Sequence, residues 1–155
     1  LNAKEKHYRY VIDNAAVPDV FTRRYAARIP AEQEARVSYD IEAMQLAANA
    51  LIGEHDFKSF CAIGAQVKTT VRTIYACDVE KEGDIISIRE TGNGFLYNMV
   101  RILVGTLLFV SEGKIDPADL PAIIESGERI RAGKTAPPQG LYLNRVEYDP
   151  ADLKM

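Results

Sequence analysis

One arginine, Arg101, lies inside the most apolar segment of the 155-residue sequence. Its neighbours Val100, Ile102, Leu103 and Val104 are all apolar, so we expect this segment to be a buried helix. An unpaired guanidinium charge is costly to bury, and an arginine does not lose its proton, so Arg101 needs hydrogen-bond acceptors. Three interpretations remain open at this point. Arg101 forms a structural ion pair within the domain, or reaches solvent along its stem, or faces a cleft where it holds a carboxylate or phosphate.

Two tyrosines, Tyr8 and Tyr10, share one face of a predicted strand. Tyr8, Tyr10 and Ile12 recur at every second position, the period of a half-buried strand, and Arg9 points to the other face. Both rings are either core residues or aromatic surfaces that stack on an unstacked nucleobase, a contact worth about 1–3 kcal/mol. Arg9 is not expected to serve the same pocket.

Other chemistries find little support in the residue pattern. His7 and His55 are the only histidines, and no spacing pairs them with cysteines or acids as metal ligands. Phosphate loops, dinucleotide fingerprints and nucleophile elbows do not occur. Cys61 and Cys77 form no C-x-x-C pair, which favours a reducing, cytoplasmic setting. We therefore expect neither a metal nor a cofactor.

The charge is distributed unevenly. There are 19 Lys and Arg residues against 22 Asp and Glu residues, a formal net charge of −3, which argues against a polyanionic partner for the chain as a whole. However, residues 57–77 and 129–146 hold basic residues and no acids, and residues 1–28 hold more basic residues than acids. Either these stretches form a local positive surface or the clustering is due to chance.

The composition, 47% apolar and 26% charged, is that of a single soluble globular domain. The hydrophobic pattern and the turn residues predict an α+β fold with a mainly antiparallel sheet flanked by helices. Predicted strands are 7–14, 24–29, 71–80, 85–90 and 141–148, and predicted helices are 40–52, 95–111 and 116–126. The helix over 95–111 places Tyr97, Arg101, Gly105 and Leu108 on one stripe, where Gly105 would let another backbone approach.

The residues then identify a family. The chain resembles the C-terminal catalytic half of the tRNA pseudouridine synthase A family. The matching segments are Tyr8-Arg9-Tyr10, the run from Ala50 to Phe60, the run from Gly92 to Gly105, and the run from Ala136 to Leu143. The run from Gly92 to Gly105 is the specific one, and the four segments follow one another in the right order over nearly the whole chain.

The resemblance implies a function and a set of site residues. It implies isomerisation of uridine to pseudouridine in the anticodon stem-loop of tRNA, without cofactor or metal, by a protein expected to be a homodimer. Tyr8 would pack on the target base with a part in proton transfer, and Arg101 would pair with a catalytic aspartate. We expect further substrate contacts, many of them basic, at Gly140, Leu141, Arg23, Arg24, Lys68, Arg72 and Lys134.

One departure from the family pattern matters for activity. The family carries its aspartate in an Arg-Thr-Asp motif, and no Arg-Thr-Asp occurs here. We therefore expect residues 1–155 to be a single domain, the C-terminal half of a longer enzyme. It would supply Tyr8 and Arg101 and be inactive alone. Two alternatives remain: a non-catalytic α+β RNA-binding module that uses sheet aromatics, and a domain that mainly dimerises.

Overall fold

The computed structural model describes residues 3–31 and 35–153 and shows an antiparallel sheet covered by helices on one face. This confirms the predicted α+β class. The strands lie in the order β2-β3-β4-β1-β5, and every neighbouring pair is antiparallel. Their bounds are β1 Ala3–Asp13, β2 Gly53–Asp56, β3 Val71–Glu82, β4 Ile85–Gly92 and β5 Leu141–Tyr148. The α-helices are α1 Ile41–Leu51, α2 Met99–Ser111 and α3 Leu120–Ser126.

Short 3₁₀ turns complete the described chain at Lys58–Phe60, Pro117–Asp119, Arg129–Arg131, Pro138–Gly140 and Pro150–Leu153. No helix in residues 3–31 or 35–153 combines the length and apolarity that crossing a bilayer requires.

The core lies between the sheet and the two helices α1 and α2. Ile102, Leu103 and Leu107 of α2 are fully buried, and they belong to the same apolar cluster as Tyr10 and Ile12 of β1. β1 pairs with β4 on one side and with β5 on the other, so the side chains on its helix-covered face have neighbouring strands on both sides. This position fixes Tyr8 and Tyr10 on the helix-covered face, because side chains alternate along a strand.

Capping explains why α1 begins where it does. The carboxylate of Asp40 accepts a hydrogen bond from the Ala43 amide at 3.0 Å, which satisfies one of the free N–H groups at the helix start. The predicted helix 40–52 is thus confirmed to within a residue at each end. The following strand, β2, was missed because it is only four residues long and pairs at the sheet edge with β3.

The predicted strand 24–29 was wrong, and β3 departs from strict alternation. Residues 24–29 do not form a strand, since only Ala27 makes a bridge, to Ile12. In β3 the pairing shifts between Ile74 and Ala76. This bulge inserts one residue, so Ile74 and Cys77 are both buried while Tyr75 is half exposed. Strict alternation along β3 would have put Tyr75 and Cys77 on the same side.

The predicted helix 95–111 begins four residues later, at Met99. Asn98 has φ 61° and ψ 6°, a left-handed conformation that cannot continue a right-handed helix toward Phe95. Gly105, in contrast, allows the close backbone approach that the sequence predicted. A Cβ atom at this position would overlap the carbonyl oxygen of Lys134, so only glycine lets the 133–136 segment lie against α2.

Candidate active site at the start of α2

An open pocket of about 310 Å³ lies where the first turn of α2 meets β1 and β5. β1 contributes Tyr8 and β5 contributes Leu141, while the turn before α2 and its first residues form the remaining wall. The lining residues are Tyr8, Phe95, Leu96, Tyr97, Asn98, Met99, Val100, Arg101 and Leu141. Tyr8, Arg101 and Leu141, which are far apart in the sequence, are therefore brought together in one pocket.

Tyr8 forms an aromatic wall of this pocket with Phe95. The two ring centroids are 5.1 Å apart with an interplanar angle of 84°, an edge-to-face contact that fixes the orientation of the tyrosine ring. Burial raises the pKa of Tyr8, so its hydroxyl is neutral at physiological pH. None of the described residues hydrogen-bonds this hydroxyl. The phenol is therefore free to act as a donor or an acceptor toward a ligand.

Arg101 is held by neutral oxygen atoms. Its Nε donates to the carbonyl of Ala136 at 2.7 Å, and its Nη1 donates to the Asn98 side-chain oxygen at 3.3 Å. Across residues 3–31 and 35–153, no carboxylate lies within 4.0 Å of the guanidinium. An ion pair within the described part of the domain thus does not account for Arg101. The side chain is half-buried rather than fully buried, because its charged end lines the pocket.

The segment that receives the Nε hydrogen bond is itself fixed in place. The amide of Ala136 donates back to the Arg101 carbonyl at 3.0 Å, and the Tyr10 hydroxyl donates to the Pro137 carbonyl at 2.6 Å. Burial raises the pKa of Tyr10, so this hydroxyl keeps its proton and remains a donor. Together with the close approach at Gly105, these contacts define where the Ala136 carbonyl lies, and therefore where Arg101 points.

The other predicted substrate contacts are distributed around the domain. Gly140 is buried against the Tyr10 ring and is not among the residues that line the pocket. Arg72 lies beside Gly94, just before the pocket wall, and donates to the carbonyls of Thr69 and Val71. Lys68 is exposed on the loop before β3. Lys134 is also exposed, and it lines a separate cavity against α2.

The basic stretches converge only in part. Lys58 and Arg129 line one depression of about 320 Å³, so the stretches 57–77 and 129–146 meet. Arg23 and Arg24 are exposed in a turn whose neighbours Thr22 and Tyr25 line a different pocket together with Arg9. That pocket lies on the sheet face opposite Tyr8, because Arg9 and Tyr8 are consecutive in β1.

The sequence offered no metal-ligand spacing around His7, but the fold places two acidic residues beside it. His7 Nε2 is 3.9 Å from a Glu5 oxygen and 3.8 Å from a Glu147 oxygen, and Nδ1 is 3.1 Å from the Thr91 hydroxyl. The donor atoms of Glu5, His7 and Glu147 lie within 4.8 Å of one another, close enough in principle for a metal ion. Arg145 already pairs with Glu147 at 2.8 Å and would compete with any cation. This cluster could not be predicted from the sequence spacing, because Glu147 lies near the far end of the chain and is brought to His7 by β5.

Two residues near the pocket were not singled out by the sequence. Asn98 contacts Arg101, and Glu90 is paired across the sheet with Tyr8. The alternation of Ile86, Ile88 and Glu90 in a predicted strand could have revealed that Glu90 is buried. Nothing in the local sequence indicated the left-handed conformation of Asn98.

Comparison with known proteins shows which family this chain belongs to. The sequence model described as tRNA pseudouridine synthase matches residues 47–149. The chain therefore belongs to the tRNA pseudouridine synthase family. It is 51% identical to tRNA pseudouridine synthase A of Brevibacillus brevis over 143 residues, which cover 92% of this chain and 56% of that protein.

Two further relatives agree. Identity is 46% over 147 residues with tRNA pseudouridine synthase A of Caldicellulosiruptor bescii, covering 95% of this chain and 58% of the relative. With tRNA pseudouridine synthase A of Bacillus subtilis, the identity is 46% over 150 residues, which cover 96% of this chain and 58% of that relative. The chain thus spans 56–58% of the length of these curated relatives.

Proposed function

We propose that this chain is the C-terminal part of a tRNA pseudouridine synthase that acts on uridine in the anticodon stem-loop. The observation that carries the proposal is Arg101, which lines a pocket beside the Tyr8–Phe95 wall without a carboxylate partner in the described chain. A guanidinium in this setting is suited to bind an anion, and the family places an aspartate at the reacting base. The carboxylate would come from the other half of the enzyme.

The chemistry is an isomerisation that needs no redox partner. The bond between the ribose and N1 of uracil breaks, the base turns, and a bond forms between the ribose and C5. N1 gains a proton and C5 loses one, so atoms balance. The target base has to leave its stack to reach such a pocket. Tyr8, neutral and held edge-on by Phe95, would pack against that base with its hydroxyl available for proton transfer.

The surroundings of the pocket suggest how RNA would lie. Arg72 beside Gly94 and Lys68 in the preceding loop are placed to contact phosphates near the pocket. The depression with Lys58 and Arg129 would extend this surface. Arg23 and Arg24 would contact RNA only if it passed around the sheet edge. We further propose a cytoplasmic homodimer, in keeping with the family.

The test uses the complete protein that contains this chain, assayed for pseudouridine formation on unmodified tRNA. Arg101→Ala should abolish turnover while leaving tRNA affinity mostly intact, because the guanidinium acts on an enzyme carboxylate rather than on the RNA backbone. Arg89→Ala, which changes an exposed arginine of β4 outside the basic stretches, serves as the matched control and should behave as wild type. A parallel loss of affinity in Arg101→Ala would favour a non-catalytic RNA-binding module. Full activity in this variant would refute the proposed role.

The chain alone provides a second test. Because it lacks Arg-Thr-Asp, purified residues 1–155 should form no pseudouridine on tRNA. Turnover by this piece would show that its catalytic carboxylate lies within the chain.

A further inference from the structure

Asn98 has an unusual backbone conformation for its position. Among the residues that the structure describes, it is the one non-glycine residue with a positive φ, at 61°. It directly precedes the first residue of α2, yet its side chain caps none of the free amides of the helix. Asparagine tolerates the left-handed region better than most residues, but the conformation still costs free energy, and such residues occur often at functional sites.

The side chain of Asn98 is directed to Arg101 instead. The two residues are three positions apart at the first turn of α2, and the Asn98 oxygen accepts from Nη1 at 3.3 Å. The carbonyl of Ala136 accepts from Nε at 2.7 Å. These two contacts hold the guanidinium plane at two of its three nitrogen atoms.

The two contacts leave Nη2 without a hydrogen-bond partner among the described residues. A guanidinium carries five N–H groups, and the two hydrogen bonds use one on Nε and one on Nη1. The remaining N–H groups lie on Nη1 and Nη2, the two nitrogens that together bind a carboxylate through two parallel hydrogen bonds. Arg101 is therefore oriented by neutral acceptors, while both N–H groups of Nη2 stay available to an anion.

We propose that Asn98 is a positioning residue that orients Arg101 toward an incoming carboxylate without neutralising it. This inference rests on the proposed function. An amide oxygen at position 98 fixes the guanidinium plane and carries no charge. A carboxylate in the same place would form an ion pair with Arg101 and compete with the catalytic aspartate for it.

Two substitutions in the complete protein separate the backbone from the side chain. Asn98→Gly keeps the left-handed conformation at no steric cost but removes the acceptor. It should lower kcat about tenfold, the effect of losing one hydrogen bond to a charged group. The Kd for tRNA should stay unchanged. Asn98→Asp keeps the shape and should lower kcat further, because the new carboxylate pairs with Arg101. Asn144→Asp, on exposed β5, controls for added negative charge.

A double-mutant cycle on kcat distinguishes a positioning role of Asn98 from a purely structural one. In an Arg101→Lys background with residual turnover, Asn98→Gly should have almost no further effect on kcat, because the oriented group is gone. Wild-type kcat in Asn98→Gly, or equal effects of Asn98→Gly in both backgrounds, would overturn the proposal. Full activity in Arg101→Ala would instead refute the proposed function itself, so the two failures are distinguishable.

Discussion

Glu90 of β4 lies directly opposite Tyr8 of β1, and in the described part of the chain its buried carboxyl group has a single weak partner. The residue is 1% exposed, the Cys77 thiol lies 3.8 Å from Oε1, and Oε2 has no hydrogen-bond partner among the described residues. Burial raises the pKa of Glu90 to about 8, with the thiol contact opposing it slightly. The carboxyl is therefore mostly protonated at pH 7, and the strand beside the pocket carries a neutral acid.

The raised pKa of Glu90 predicts that the free energy of unfolding falls as pH rises. Between the ordinary value of 4.5 and about 8, the folded state holds a proton that the unfolded state releases. Stability should therefore decrease through this window, by at most about 1.4 kcal/mol per pH unit from this group. Well below pH 4.5 both states hold the proton, and the group contributes no slope. Urea unfolding at a series of pH values measures the effect.

Glu90→Gln should flatten that slope, because the amide does not titrate. Glu82→Gln, in the same hairpin but exposed, should leave it unchanged. The idea fails if Glu90→Gln and wild type show the same pH dependence between pH 5 and 8.

Gly105→Ala should destabilise the domain by about 1–3 kcal/mol, since the added methyl group overlaps the Lys134 carbonyl. The sign of the change in unfolding free energy is informative, because the same substitution inside an ordinary helix stabilises by about 0.5–1 kcal/mol. Chemical denaturation gives the value. Gly94→Ala is the matched control, since its Cβ would lie at an ordinary 3.5 Å from Arg72. A stabilised Gly105→Ala variant would show that the 133–136 segment does not pack as described.

Tyr10→Phe and Tyr8→Phe should differ in stability although both remove one hydroxyl. Tyr10→Phe leaves the Pro137 carbonyl without its donor and should cost about 1–2 kcal/mol. Tyr8→Phe removes a hydroxyl that no described residue bonds, so its effect should stay within about 0.5 kcal/mol. Thermal or urea unfolding of the two variants makes the comparison. Equal losses would contradict the described hydrogen bond.

The two cysteines should differ in their reactivity toward a thiol reagent at pH 8. Burial raises the pKa of Cys61, but the nearby Arg72 opposes the shift, and Cys61 lines an open depression. Burial raises the pKa of Cys77 well above its ordinary value, and the neighbouring Glu90 and Asp78 raise it further. Single-cysteine variants should show Cys61 reacting in the folded state and Cys77 only on unfolding. Faster labelling of Cys77 would refute this order.

Much of the fold could be predicted from local patterns. The hydrophobic pattern and the turn residues predicted the strands β1, β3, β4 and β5, and the helix α1 to within a residue at each end. Such features depend on near neighbours in the chain, which the sequence displays directly. The stripe with Arg101 and Gly105 also indicated a close approach, which the structure confirms at Lys134.

Features that depend on distant partners could not be predicted in this way. The acceptor for Arg101 Nε is the backbone carbonyl of Ala136, which no side-chain pattern reveals. The bulge at Tyr75 and the left-handed conformation of Asn98 are features of the backbone, and the side-chain types at these positions do not require them. The Glu5–His7–Glu147 cluster needs the register between β1 and β5.

The position of β1 between β4 and β5 has a consequence for biosynthesis. Tyr8 is made near the beginning of this chain, but Leu141 and the Ala136 carbonyl come from its end. A ribosome therefore has to translate almost all of these residues before the pocket can close. Contacts between such remote segments are slow to form. Until then, the nascent β1 exposes one unpaired edge, which is a point of vulnerability to aggregation.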